Sequence, residues 1–284
     1  MVIGHYKSTA IAFAPEAICS VVNKYTDHTA YTFGHGHSTT TIKYGTDLIH
    51  QHNRNSVRFM PKIIQYHSEP FRVDLNVPIP KLVIAQYHAT LPEYQNCRIV
   101  RNPIDIFSDE FLPRYYDKKI RIGFAPSVID PTSEWADKGY YETAPILLRL
   151  RKKYIDIVDI DVITKVPLQE CLRRKSLCNI FIDEVKTASY HRSGLESLAM
   201  GQATICSVSD KVEEVMLKAS GASSSPFINV YHTELYNTLD KLISDGITSI
   251  LEKGFASRLW MEKYWNPEVI AGEYVQIYQD VLNK

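Results

Sequence analysis

Short runs of β-branched and aromatic residues alternate with stretches of helical spacing along almost all of the 284 residues, and this alternation constrains the fold more than any other feature. Parallel strands cannot be joined by a tight turn. They need a crossover, usually a helix, so a repeated strand–helix order predicts parallel sheets built from βαβ units. In the first half MVIGHY, TAYTFG, DLIHQH, KIIQYH and KLVIAQY read as strands, PEAICSVVNKY as a helix, and CRIVRNPIDI as the last strand. FSDEFLPRYYDKK follows, polar and aromatic with a proline and no period, as suits a linker. The alternation then restarts with KIRIGFAPS, the helix YYETAPILLRLRKKY, the strand VDIDVIT, the helix PLQECLRRKS, the strand CNIFIDE, a short helix in YHRSGLESLAMG and the strand QATICSV. Near the end, Asn266 and Pro267 form an N-cap and N1 pair and predict a final helix. The expected organisation is a Rossmann-like domain over 1–106, a linker over 107–118, a second Rossmann-like domain over 119–262, and a C-terminal helix over 263–284 placed to cross back to the first domain. Two doubly wound sheets facing each other would leave a central cleft at the carboxyl ends of their strands, where ligands of such folds bind.

Composition narrows the partners. Lys plus Arg and Asp plus Glu both number 32, so no overall positive field draws the chain to nucleic acid or anionic membrane. The basic runs RLRKKY and LRRKS read as solvated helix faces. Five scattered cysteines without a CxxC pair suggest a reducing, cytoplasmic setting and no structural metal. AIAFAPEAICSVV is interrupted by Pro15 and Glu16, and no apolar run reaches membrane-spanning length, so no transmembrane segment is expected. His35 with His37 and His50 with His52 form two H-x-H pairs. Each would put two rings on one face of a strand, as a zinc site needs, but no acidic third or fourth ligand lies near in sequence, so no metal is expected.

One carboxylate stands out. Glu196 lies between Leu195, Leu198 and Ala199, with His191 and Arg192 just ahead. Ser193 and Glu196 spell the S-x-x-E capping box, in which each side chain satisfies an amide of the first helical turn, and Gly201 suits the helix C-terminus. A second reading stands beside the first. A helix start with Arg192 and His191 before it favours an anion, and a carboxylate one turn in suits neutral hydroxyls next to that anion. An anion flanked by a vicinal diol describes a nucleoside diphosphate and its ribose.

SGLESLAMGQATI resembles the E-A-M-A-x-G-x-P-V-I segment of retaining GT-B glycosyltransferases, particularly the broad family four group. IGFAPSVIDPTSEWADKGYYETAPILLRL is similar to the stretch of those enzymes in which a strand ends in A-P-S or G-R and a K-G opens the next helix. VRNPIDI is similar to their interdomain turn, and DLIHQH with IIQYHSEP to strands of their acceptor domain. The resemblance spans most of the chain and is strongest from Ile120 to Ser209. It implies that Glu196 binds the ribose hydroxyls of a nucleotide-sugar donor, with a UDP-sugar expected. Lys138 would reach the diphosphate, Gly139 would permit close approach, and the Ser193 and Gly194 amides, flanked by His191 and Arg192, would hold the same phosphates. Ser127 would lie in the phosphate-side loop, Lys165 and Val166 would border the nucleobase, and His67 would face the transferred sugar.

The chain departs from the pattern at one informative place. Many family members carry a second glutamate eight residues before the ribose-binding one, and that position here is Ala188. Asp183 and Glu184, at the end of the preceding strand, resemble the D-Q of a subgroup that lacks this acid, and the resemblance implies a catalytic role for them beside His67. The implied reaction is transfer to an acceptor hydroxyl with retention and without metal or cofactor. The acceptor stays open among a glycan, a small molecule, a protein and a modified DNA base, and oligomeric state is not legible. A non-catalytic nucleotide-binding module of the same fold and a sugar-phosphate epimerase are the rival readings.

Overall fold

The computed structural model describes residues 1–8, 11, 13–37, 41–53, 59–114, 119–132 and 134–283. Residues 115–118 of the expected linker lie outside the described residues, as do Thr9, Ala10 and Ala12 of the loop after the first strand.

Packing separates two units. The first comprises Met1–Asp105, Glu214–Gly221 and Trp265–Lys284, and the second Ile106–Glu213 and Ala222–Tyr264. In the first unit the strands are β1 (Val2–Lys7), β2 (Thr29–Gly34), β3 (Leu48–His52), β4 (Ile63–Tyr66), β5 (Lys81–Ile84) and β6 (Arg98–Val100), with helix α1 (Ala14–Tyr25) between β1 and β2. They form one sheet in the order β2-β1-β3-β4-β5-β6, with every pair parallel. All four residues of β4 are buried, as befits a central parallel strand covered on both faces.

The second unit holds β7 (Ile120–Phe124), α2 (Glu134–Asp137), α3 (Tyr140–Lys153), β8 (Val158–Val162), α4 (Leu168–Lys175), β9 (Ile180–Glu184), α5 (Arg192–Ala199), β10 (Ala203–Cys206), β11 (Ile228–Asn229) and α7 (Leu235–Tyr264), while α6 (Asp210–Ser220) is shared by the two units. Its sheet runs β11-β10-β9-β7-β8, again all parallel. Ile120, Ile122, Phe124, Ile180, Ile182, Ala203 and Ile205 supply the sheet's share of the core, and Leu235, Leu239, Leu242 and Ile243 of α7 pack against it.

Neither α6 nor α7 was foreseen from the sequence. In α7 the apolar residues recur at helical spacing, but Gly246 interrupts them with φ 85° and ψ 171°, so the element is two helical stretches meeting at a kink. The last helix, α8 (Pro267–Leu282), starts as its sequence dictates: the Asn266 side chain accepts a bond from the Glu268 amide at 2.9 Å, and Pro267 fills N1. It packs within the first unit, where Tyr274 Oη donates to Gln65 Oε1 at 3.2 Å and Trp265 Nε1 to the Asn102 carbonyl at 2.8 Å. Among the described residues, no helix is long and apolar enough to cross a membrane.

Candidate functional site

In the second sheet the chain leaves β7 toward β8 on one side and returns to β9 on the other. The β7/β9 gap is therefore a topological switch point, where the loops after the strands part and leave a crevice. Asp183 and Glu184 are the last two residues of β9, and Lys138, Gly139, His191, Arg192, Ser193, Gly194 and Glu196 belong to the connections and helix starts at this same edge. Two helices begin here, α3 at N-cap Gly139 and α5 at N-cap His191, and neither has a side-chain cap.

Asp183 is the centre of one cluster. Its carboxylate is fully buried, accepts from Lys138 Nζ at 3.2 Å through Oδ1 and from the His191 amide at 2.7 Å through Oδ2. Burial alone would raise its pKa. The Lys138 charge and the bonds from His191 outweigh burial and hold the group well below the usual carboxylate range. Lys138 and Gly139 both adopt left-handed backbone, φ 56° and 77°. A Cβ on Gly194 would meet Asp183 Oδ2 at 2.6 Å, so this glycine lets backbone approach the acid, while one on Gly139 would meet Val185 Cγ2 at 2.9 Å, so that glycine lets the start of α3 pack against the loop after β9.

Glu196 is the centre of a second cluster, and its partners correct the capping-box expectation. The helix starts at Arg192, with His191 rather than Ser193 at the N-cap, and Glu196 does not reach back to an amide. Its Oε2 instead accepts from Lys175 Nζ at 3.0 Å and its Oε1 from Arg192 Nε at 3.0 Å. Lys175 Nζ also donates to the Ser193 carbonyl at 2.7 Å and to Ser193 Oγ at 2.9 Å. Burial would raise the Glu196 pKa, but Lys175 and Arg192 pull it below its ordinary value. The physical reason for the correction is charge: a buried carboxylate gains more from two cations than from one neutral amide. Lys175, fully buried at the end of α4, was missed from the sequence because LRRKS reads as a solvated run.

Glu184 differs from its neighbour. Oε2 accepts from the Lys186 amide at 2.8 Å, the Thr187 amide at 2.5 Å and the Thr187 hydroxyl at 2.8 Å, whereas buried Oε1 has no partner among the described residues. Burial dominates and pushes its pKa up to about 7. Glu184 thereby organises the loop that contains Ala188, itself left-handed at φ 57°.

The remaining expected residues lie further from these two acids' bonds. Ser127 is exposed, its amide bonded to the Ala136 carbonyl at 2.8 Å. Lys165 is exposed in left-handed backbone, and Val166 packs against the Ala125, Ile163 and Phe181 cluster. His67 belongs to the first unit, just after β4.

In the first unit parallel pairing sets His5 of β1 opposite His50 of β3, at that sheet's own switch point. The sequence showed His50 and His52 but not that His5 joins them. Candidate ligand atoms of all three lie within 4.8 Å of one another. The rings of His50 and His52, however, are stacked at 4.3 Å with 27° between planes, and an imidazole lone pair lies in its ring plane, so this pair does not converge on one ion. The other H-x-H pair does not close a site either: His37 Nε2 lies 3.1 Å from Glu16 and His35 is exposed.

No family model matches the chain, and no curated protein matches it by sequence. Solved structures do. A sucrose-phosphate synthase from Thermosynechococcus elongatus aligns with a TM-score of 0.60 at 12% identity over 99% of each chain. A glycosyltransferase from Rickettsia africae aligns with a TM-score of 0.64 at 11% identity over 99% of this chain and 98% of its own. HepE from Anabaena, solved in complex with UDP, aligns with a TM-score of 0.60 at 11% identity over 99% of this chain and 100% of its own. At such identities the likeness is one of fold.

Proposed function

From a GT-B fold of two Rossmann-like α/β domains, which the protein shares with these glycosyltransferases, we propose that it moves a sugar from a nucleotide-sugar donor to an acceptor hydroxyl. The observation that carries this reading is the pair of uncapped helix starts, α3 and α5, set beside Lys138 at the β7/β9 switch point. Helix N-termini with an adjacent ammonium suit the diphosphate of a donor. Lys138 Nζ gives one hydrogen bond to Asp183, and its remaining N–H groups suit phosphate oxygens. Glu196, held by Lys175 and Arg192, keeps lone pairs for ribose hydroxyls.

As the glycosidic bond breaks, the leaving nucleoside diphosphate gains charge, and donors already aimed at it bind it more tightly in the transition state than in the ground state. Lys138 and the Ser193 amide serve this role, while the Gly194 amide is bonded to the His191 carbonyl at 3.1 Å. Acceptor attack on the face the diphosphate leaves gives retention, with no metal needed, and a UDP-sugar is the proposed donor. His67 is proposed as a contact to the transferred sugar on the family resemblance, and Asp183 acts by holding Lys138 and the His191 amide in place.

A thermal-shift panel of UDP, GDP, ADP, CMP and their sugars tests the assignment, because a ligand that binds the native state raises apparent stability by mass action. A shift with one nucleotide and its sugar is expected. No shift with any of them removes the donor site, and a shift without transfer or donor hydrolysis turns the protein into a binding module.

A further inference from the structure

Four histidines and a tyrosine form one continuous hydrogen-bonded chain through the first unit. Tyr278 Oη lies 3.1 Å from His50 Nδ1 and 3.3 Å from His5 Nε2; His5 Nδ1 lies 2.9 Å from His52 Nε2; His52 Nδ1 lies 3.0 Å from His67 Nε2. His5, His50 and His52 are fully buried, and His67, at the end of β4, is partly exposed. The His5–His52 and His52–His67 ring centroids are both 5.2 Å apart with 24° and 32° between planes, the spacing of rings bonded edge to edge nearly in plane.

Burial keeps these rings neutral, with His5 and His67 both pushed down to about 3. A neutral imidazole has one donor nitrogen and one acceptor nitrogen, so the bonds through His5 and His52 must point the same way. At Tyr278 the single phenol proton carries that direction on to His50 or from it, because two donating histidines would leave the buried O–H an orphaned donor. Two directions then remain. If protons point toward His67, then His50 Nδ1–H donates to Tyr278, Tyr278 O–H to His5 Nε2, His5 Nδ1–H to His52, and His52 Nδ1–H to His67 Nε2. The atom left over at the buried end is His50 Nε2, a bare acceptor, and among the described residues this atom is indeed buried without a partner. If protons point the other way, the same atom becomes an orphaned N–H donor. Buried orphaned donors are the rarer and costlier case, so the first direction is favoured.

We propose that His52, backed by His5 and Tyr278, is a positioning residue that fixes His67 in the tautomer with its proton on Nδ1, so that His67 meets its ligand as a hydrogen-bond donor to an oxygen. His67 Nδ1 makes no bond among the described residues, and the His67 backbone N–H is tied to Asn53 Oδ1 at 2.8 Å, which aims the ring. The tautomer follows from the fold alone; that the oxygen belongs to a transferred sugar rests on the function proposed above.

Long-range 1H–15N correlation on protein labelled with 15N-histidine reads which ring nitrogen carries each proton, without any ligand. His52 and His67 signals are assigned from His52→Phe and His67→Gln. The free side chain favours the Nε2–H form, so the expected wild-type result, His67 protonated on Nδ1, is not the default. In His52→Phe the constraint is gone, and His67 should move toward Nε2–H. Wild-type His67 protonated on Nε2 overturns the proposal, as does a tautomer ratio unmoved by His52→Phe. Should that variant fail to fold, the wild-type spectrum decides alone. Because no donor is present, failure here is distinct from failure of the nucleotide panel.

Discussion

Lys175 Nζ lies 3.0 Å from Glu196 Oε2, joining the end of α4 to the middle of α5 in a buried bond. The pair is the main tether of the acid proposed to meet ribose.

Replacing Lys175 with Met leaves Glu196 buried with Arg192 as the cation hydrogen-bonded to it among the described residues. Removing one partner of a buried pair costs about 3–5 kcal/mol, so urea unfolding should show a loss of that order. The double variant Lys175→Met with Glu196→Met should lose less than the sum of the two single variants, since neither charge is then stranded. Strict additivity would show that the two residues do not support each other.

Glu184 predicts a stability change with pH of unusual sign. Its pKa is raised from 4.5 to about 7, so the folded protein holds a proton that the unfolded chain has released. Its contribution is full below pH 4.5 and is lost as pH rises through about 7, to a total of roughly 3 kcal/mol. Glu184→Gln, which keeps the acceptor for the Lys186 and Thr187 amides, should flatten that decline. An unchanged slope in the variant between pH 5 and 8 would falsify the assignment. Asp183 and Glu196 act oppositely: their depressed values give stability present above the unfolded carboxylate range and lost as pH falls through the folded values.

Gly194→Ala places a methyl 2.6 Å from Asp183 Oδ2, which the His191 amide anchors at 2.7 Å. Overpacking of this kind costs about 1–3 kcal/mol. Nucleotide binding should weaken along with stability, because the helix start must shift. Calorimetry and the thermal-shift panel read both.

Lys138→Ala should slow sugar transfer by roughly 10²–10³-fold in kcat, the range for loss of one preorganised donor. Steady-state kinetics with the nucleotide-sugar that gives the thermal shift provides the measurement, and a rate within twofold of wild type would remove Lys138 from the mechanism.

The sheets were legible because strands such as IIQY and IFIDE are buried on both faces and announce themselves as unbroken apolar or β-rich runs. The position of Glu196 in a helix was legible as well. Its partner was not: Lys175 stands 21 residues earlier, and nothing in local spacing tells a buried lysine from a solvated one. Likewise, the H-x-H pair was visible, but His5 meets it only through the register of two parallel strands that are distant in sequence. Ser193 failed as a cap because helix starts are set by whichever residue first takes helical backbone, and a nearby pair of cations redirected the glutamate that the box required.

Lys138, Lys165 and Ala188 have left-handed backbone, and they follow β7, β8 and β9 in turn along one rim of the second sheet. Each such residue with a Cβ carries roughly 1–2 kcal/mol of conformational penalty that glycine would not. The rim is thus a spring held compressed by the rest of the domain, and glycine at Lys165 or Ala188 would release part of the tension at some loss of stiffness. A protein engineer seeking a sturdier version has two inexpensive places to begin, while Lys138 is the position where relief would sacrifice the ammonium itself.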